Sequence, residues 1–303
     1  MKAAVTGARG FVGRHLCEHL RAAGDTVTEL DHRGNDPVDV TDGAALRSVL
    51  GRIEPDAVYH LAAVSHIGEA WDAPARVFRL NAEGTLHVLQ ACAEAGVGRV
   101  LVVGSADEYG AVAEHDLPID EDTPLRPITP YGASKTAADA LALQAFLGEG
   151  LETIRVRAFN HTGPGQSPAF LVPALARRIA EAERTEHDEV TVGNLDPVRD
   201  VSDARDVVRA YRALVERGVP GEAYNVCSGR GASVAELAQL LLAWARRPLQ
   251  LVSDPALVRP VDVPRLIGDP RKLRAATGWT PAITLEQTLA DVLEEARSAG
   301  SID

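Results

Sequence analysis

Lys2-Ala3-Ala4-Val5-Thr6-Gly7-Ala8-Arg9-Gly10-Phe11-Val12-Gly13 is the stretch from which the fold is read. Residues 2 to 6 form an apolar strand, and the glycines follow at once in GxxGxxG spacing. Gly7 permits a tight turn, Gly10 a close approach of a pyrophosphate, and Gly13 the packing of a helix against the sheet. That helix runs with Phe11 and Val12 in its first turn through Leu16 and Leu20 to Gly24, a C-cap. Strand, glycine loop and helix in this order point to a dinucleotide site.

Working outward, the strand Thr26 to Leu30 ends in Asp31. An acid there takes the adenosine ribose hydroxyls and repels a 2′-phosphate, whereas Arg33 and Arg9 nearby offer that phosphate a partner. The reading leans to NAD, with NADP left open. Asp39-Val40 lies where a loop lines the adenine, Asp39 being an acceptor for the adenine amino group or, alternatively, a helix N-cap. Asp56 to Leu61 reads as a strand, and Leu61-Ala62-Ala63 suits a backbone pressed against a cofactor. Asn81 begins a helix through Leu86, Leu89 and Cys92, and Arg99 to Val103 is a further strand ending at Gly104-Ser105. The alternation argues an α/β fold: a Rossmann-type parallel sheet with helices on both faces.

A chain of 303 residues, 46% of them hydrophobic, buries a large core and makes one large domain or two. Acidic residues outnumber basic ones by 43 to 31, and the net charge of −12 disfavours a general nucleic-acid binder. The three cysteines, Cys17, Cys92 and Cys227, form no CxxC and read as buried thiols of a reducing cytoplasm. No leader is expected before the first strand, and no membrane span. His15 and His19 stand at i, i+4, but Glu18 between them makes no HExxH, and no metal site is assigned. His60, His66 and His161 lie near predicted strand ends, within reach of the cleft.

The chemistry is read from Tyr131-Gly132-Ala133-Ser134-Lys135. Positions i and i+4 share a helix face, so the Lys135 ammonium is expected beside the Tyr131 hydroxyl, lowering its pKa from the usual value of about 10. Pro130 stops anything helical before it, so Tyr131 opens a fresh helix through Ala137, Leu141 and Phe146. Ser105 lies at the carboxyl end of its strand, where open parallel sheets bind ligands. Residues 111 to 130, with Pro118, Pro124 and Pro127, read as a loop over the site. The expected reaction is hydride transfer at a carbonyl or alcohol, with Tyr131 as proton donor and Ser105 steadying the developing alkoxide.

In the second half, Glu152 to Ala158 is a strand ending in Phe159-Asn160-His161, and Thr162 to Pro168 reads as a loop. Pro173 to Glu183 is helical, Glu189 to Val192 and Glu222 to Val226 are strands, and Asp203 caps the helix through Val207, Tyr211 and Leu214. Ser233-Val234-Ala235-Glu236 is a capping box, and Thr284 to Gln287 repeats the device. Arg199 and Arg259 are candidate phosphate clamps, or else ion-pair partners of Asp200 and Asp262. Residues 1–160 thus read as the dinucleotide-binding core. Residues 161–303 read as a mixed segment, partly returning to that core and partly building a smaller lobe.

These features resemble the extended short-chain dehydrogenase/reductase family over nearly the whole chain, from Gly7 to about Leu289. Arg157-Ala158-Phe159-Asn160-His161-Thr162-Gly163-Pro164-Gly165-Gln166 resembles the GDP-6-deoxy-4-keto-D-mannose reductase group. Tyr224-Asn225-Val226-Cys227-Ser228-Gly229 and Arg259-Pro260-Val261-Asp262-Val263-Pro264 do so too. The resemblance implies reduction of the C4 ketone of GDP-4-keto-6-deoxy-D-mannose to GDP-D-rhamnose by NADH or NADPH. The alternative it leaves is a nucleotide-sugar 4,6-dehydratase or 4-epimerase. It implies that Lys135 holds the nicotinamide ribose, and that Phe159, His161 and Asn81 border the cofactor. For the substrate it implies Ser65, Ser105, Ala106, Asp107, Asn160, Val172, Arg199, Asn225, Arg259 and Asp262. It further implies a homodimer joined by a four-helix bundle, formed by the helices after Asn81 and Tyr131.

Related GDP-mannose 4,6-dehydratases carry Thr-Ser-Glu-x-Tyr-Gly after the strand, where the Glu abstracts a sugar proton. This chain has Ser105-Ala106-Asp107-Glu108-Tyr109-Gly110. Asp107 is one methylene shorter than that Glu, and a misplacement of about 1 Å costs on the order of a hundredfold. A reductase is favoured, unless the backbone shifts or Glu108 swings in.

Overall fold

The computed structural model describes residues 1–34, 37–185, 187–257 and 263–299. The expected Arg259 and Asp262 therefore lie outside the described residues. The first half alternates as read: β1 (Lys2–Thr6), α1 (Phe11–Ala22), β2 (Thr26–Leu30), α2 (Gly43–Ile53) and β3 (Ala57–His60). Then come α3 (Ile67–Asp72), α4 (Pro74–Phe78), α5 (Gly84–Glu94), β4 (Arg99–Val103), α6 (Pro130–Glu149) and β5 (Thr153–Ala158). The second half holds β6 (Asn160–Thr162), α7 (Leu171–Thr185), β7 (Glu189–Val192), β8 (Val198–Asp203), α8 (Ala204–Arg217) and β9 (Ala223–Val226). It ends with β10 (Gly231–Ser233), α9 (Val234–Leu242), β11 (Gln250–Ser253), β12 (Arg265–Leu266), α10 (Arg271–Thr277) and α11 (Leu285–Ala299).

The main sheet has six parallel strands in the order β2-β1-β3-β4-β5-β9. The chain moves from β1 outward to β2, then crosses to β3 on the other side. The crevice between the carboxyl ends of β1 and β3 is therefore the switch point where such sheets bind ligands. Both faces are covered, which is why β3 and β9 are buried at every position. On one face Leu16 and Leu20 of α1 meet Val207, Tyr211 and Leu214 of α8 over Tyr59 and Leu101. On the other, Leu46, Leu50, Val88, Leu89 and Ala142 pack on Ala4, Val58 and Val100.

The second half does two things. β9 extends the main sheet, and α8 and α10 pack on it. The rest builds a lobe of small sheets, β10-β8-β12 with β6 on β8, and β11 on β7. Its core joins Leu175, Ile179, Leu237, Leu241, Leu289 and Leu293.

Several sequence readings need correction. The helix expected to begin at Asn81 is continuous with α4 through a π-helical turn, Arg79–Glu83, so Asn81 sits mid-helix. Thr162, read as loop, ends β6, which pairs with β8. β8 was hidden by its polar sequence, whose Asp200 is wholly buried among amide donors: Ser228 N–H at 2.8 Å and Gly229 N–H at 2.8 Å. The cap of α2 is Asp42, not Asp39, which instead accepts from Thr41 N–H and hydroxyl. The Ser233 capping box forms in full, whereas at Thr284 only the forward half does, because Gln287 turns to Asp291.

Candidate active site

At the switch point the glycine loop is held by sterics. Gly7 has φ of +68°, and a Cβ there would stand 2.8 Å from Ala62 N. A Cβ on Gly13 would lie 2.2 Å from Gly7 O. Bare backbone therefore lies at the amino end of α1, where unpaired N–H groups favour an anion. Beside it Asp31 accepts from Arg9 N–H at 2.9 Å and from Arg33 Nε at 2.9 Å. Burial pushes the Asp31 carboxyl up, but these hydrogen bonds outweigh it, and the pKa is lowered. An acid at the end of β2, a bare glycine turn and a small-residue wall at Ala62 and Ala63 fit a dinucleotide. Phe11 stacks on His161, with centroids 6.3 Å apart, which joins the start of α1 to β6 from the other half of the chain. Val40 and Phe159 are core residues, and Asp39 is exposed.

A buried network fastens the cleft wall. His60 bridges Thr6 at 2.7 Å and Thr85 at 2.9 Å. Burial, then the Lys135 charge, hold its pKa down at about 3, so it is neutral and faces inward, not into the cleft. Asn81 accepts from Val64 N–H at 2.9 Å and donates to Val64 O and Ser134 Oγ. It thereby ties the strand after β3 to α6.

Tyr131 and Lys135 open α6 as expected. Thr129 caps the helix by accepting from Gly132 N–H, and Pro130 occupies its first turn. Both side chains are buried. The expected effect of Lys135 on Tyr131 is not found. Burial raises the Tyr131 pKa well above its usual value, Asp107 adds to this, and a hydrogen bond with Ser105 offsets only part. Lys135 Nζ instead donates to Val103 O at 2.7 Å. Burial pulls its own pKa down to about 8, against the raising effect of Glu108.

Ser105 donates to Asp107 Oδ2 at 3.1 Å and accepts from Asp107 N–H, so serine, phenol and acid form one cluster. Glu108 does not swing toward it. Its carboxyl lies wholly buried behind the turn, accepting from Ser105 N–H at 2.7 Å. Sequence reasoning missed this anchor, although Ser-x-x-Glu spacing, the capping-box signature, is present. It also missed Asp139, which pairs with Arg155 at 2.6 Å and Arg157 at 3.3 Å behind the site.

The substrate residues are dispersed. Ser65 lines a cavity of about 440 Å³ with His66, Glu69, Arg76, Ser167 and Phe170. Asn160 is exposed on β6 and Arg199 half-buried on β8. Ala106 and Val172 belong to hydrophobic cores. Asn225 is wholly buried, its amide engaged by Tyr109 OH and Ile119 O.

The profile of one family, described as GDP-mannose 4,6 dehydratase, matches residues 4–292. The chain belongs to that family. It is 39% identical to the GDP-6-deoxy-D-mannose reductase of Pseudomonas aeruginosa, covering 96% of this chain and 95% of that protein. It is 31% identical to the GDP-6-deoxy-D-talose 4-dehydrogenase of Aggregatibacter actinomycetemcomitans, over 92% of both. A solved structure of RMD from Pseudomonas aeruginosa complexed with NADPH superposes with a TM-score of 0.90. The identity there is 37%, with 99% of this chain and 100% of that one covered. As a member of the GDP-mannose 4,6-dehydratase family the chain is an NAD(P)-dependent oxidoreductase of nucleotide-sugar metabolism. No described helix is long and apolar enough to cross a membrane.

Proposed function

We propose that the protein reduces the C4 ketone of GDP-4-keto-6-deoxy-D-mannose to GDP-D-rhamnose. The observation that carries this reading is the cluster of Tyr131, Ser105 and Asp107 at the carboxyl end of β4, with Lys135 one helical turn along α6, in a chain so similar to a GDP-6-deoxy-D-mannose reductase. A nicotinamide dinucleotide, when bound, supplies the hydride. Gly7, Gly10 and Gly13 hold its pyrophosphate, and Asp31 with Arg33 and Arg9 meets the adenosine ribose or its phosphate. Tyr131, kept protonated by burial, gives its proton to the ketone oxygen. Ser105 donates a hydrogen bond to the same oxygen, exchanging its present acceptor Asp107 for it. Lys135, an ammonium below pH of about 8, stabilises the phenolate left behind once it exchanges Val103 O for that oxygen. Residues 1–160 carry the dinucleotide, and the lobe built from the later residues meets the nucleotide sugar through Arg199, with Asn160 at the junction.

A dehydratase or epimerase is the second reading, supported by the Ser105–Asp107 contact, since that acid faces Tyr131. Incubation with GDP-4-keto-6-deoxy-D-mannose and NADPH separates the two. A reductase consumes one NADPH per product; no net consumption, with water lost from GDP-mannose, would sink the proposal. Identification of the product by NMR separates the equatorial C4 hydroxyl of rhamnose from the axial one of 6-deoxytalose.

The protein acts as a cytoplasmic homodimer in this reading, its three thiols free and buried. The dimer face is formed by α5 and α6, where Leu147 is 73% exposed beside exposed Ala133 and Ala140. Sedimentation of Leu147→Glu, expected to yield monomers, tests it.

A further inference from the structure

Two buried side chains grip the same turn from either side. Lys135 Nζ donates to Val103 O at 2.7 Å, and Glu108 Oε1 accepts from Ser105 N–H at 2.7 Å. Gly104 stands between them, and its missing side chain is the space that the carboxyl fills. A Cβ there would lie 2.3 Å from Glu108 Oε1. Glu108 is wholly buried, and its second oxygen has no hydrogen-bond partner among the described residues. A capping box closes the arrangement, because Ser105 and Glu108 bracket the short helical turn Ala106–Glu108.

We propose that Glu108 is a positioning residue of the reduction. It fixes the Ser105 main chain from behind, and so sets where the Ser105 hydroxyl stands beside Tyr131. The inference rests on the Tyr131–Lys135–Ser105 reading above and names a residue that this reading does not use.

The charged groups facing Glu108 come from two packed elements. Lys135 and Asp139 lie on α6, and Arg157 on β5 has its Nε 3.6 Å from Glu108 Oε2. Burial, then Asp139, push the Glu108 carboxyl up to about 8, while Ser105 N–H, Arg157 and Lys135 pull it down. Asp139 cannot answer Lys135 in its place, being engaged by Arg155 and Arg157. Tyr131 is faced by Asp107 as well as by Glu108. His60 beside Lys135 is neutral and adds no charge. Pushed up to about 8, the carboxyl is largely uncharged at neutral pH, and what it holds there is the Ser105 main chain.

The test is kcat and KM for Glu108→Gln and Glu108→Asp. The Gln amide oxygen still accepts from Ser105 N–H, so turnover is expected within about threefold of the parent's. Asp is one methylene short and lengthens the Ser105 contact, so kcat is expected to fall about tenfold or more, with NADPH affinity unchanged. An Asp variant as active as the parent, or a Gln variant that loses as much as Asp, overturns the inference; the Asp variant decides alone if the Gln variant does not fold. Tyr131→Phe is the control. If it keeps turnover, the underlying assignment fails; if it is inactive and the Asp variant is unimpaired, only the role of Glu108 fails.

Discussion

Replacing Lys135 with Met is expected to stabilise the cofactor-free protein while abolishing turnover. The ammonium is buried, and its pKa falls from 10.5 to about 8. At about 1.4 kcal/mol per unit, that drop corresponds to roughly 3 kcal/mol of unfavourable folding energy at neutral pH. Met has a similar volume and no charge. Against the gain stands Val103 O, which loses its donor at a cost of about 1 to 2 kcal/mol. The net expectation is a variant about 1 to 2 kcal/mol more stable at neutral pH. The folded value lies below the unfolded one, so the unfolded chain binds the extra proton between about pH 8 and 10.5. The parent therefore gains stability as pH rises through that window, and the variant's advantage disappears there. Urea unfolding of both proteins, at neutral pH and near the top of the window, measures this difference; titrations common to both cancel. A variant less stable at neutral pH, or an advantage that ignores pH, would refute the reasoning. Stability bought by removing a catalytic amine is the usual opposition between activity and fold.

Tyr131→Phe should lower turnover by about a hundredfold or more, the contribution of a positioned general acid, while NADPH binding measured by nicotinamide fluorescence stays intact. Gly13→Ala should weaken cofactor binding at least about tenfold, because its Cβ would lie 2.2 Å from Gly7 O and 2.8 Å from Ala8 Cα, forcing the glycine loop open. Asp139→Ala should destabilise the fold by about 3 to 5 kcal/mol in urea titrations, since it leaves Arg155 and the buried Arg157 without their shared carboxylate.

The parallel sheet was legible because its strands are buried on both faces and so read as apolar runs: Arg99 to Val103 agrees residue for residue. The glycine loop was legible because its spacing reflects sterics that no side chain satisfies. Strands of the lobe were not. β8 carries Asp200 inward to amide donors brought by Ser228, Gly229 and Gly268, partners distant in sequence and invisible to any local pattern. The Tyr131–Lys135 pair was found by helical spacing, but its electrostatics was misjudged. Spacing places two side chains on one face; it says nothing of burial, nor of the Val103 carbonyl that draws the amine away. Glu108 illustrates the reverse case. Its spacing from Ser105 is the one recognised at Ser233–Glu236, yet here it caps a turn too short to announce itself by periodicity.

The π-helical turn at Arg79–Glu83 fixes more than the amide of Asn81. One surplus residue per such turn offsets the helical phase by about 100°. Were a single residue deleted there, α4 and α5 would fuse into one regular rod, and everything ahead of the cut would rotate by that amount about the axis. Phe78, now 49% exposed, would sweep to a new azimuth, and the amide would leave Val64 and Ser134. Length in this segment is thus under tighter constraint than residue identity, and shortened relatives will need some other means of pinning the chain after β3.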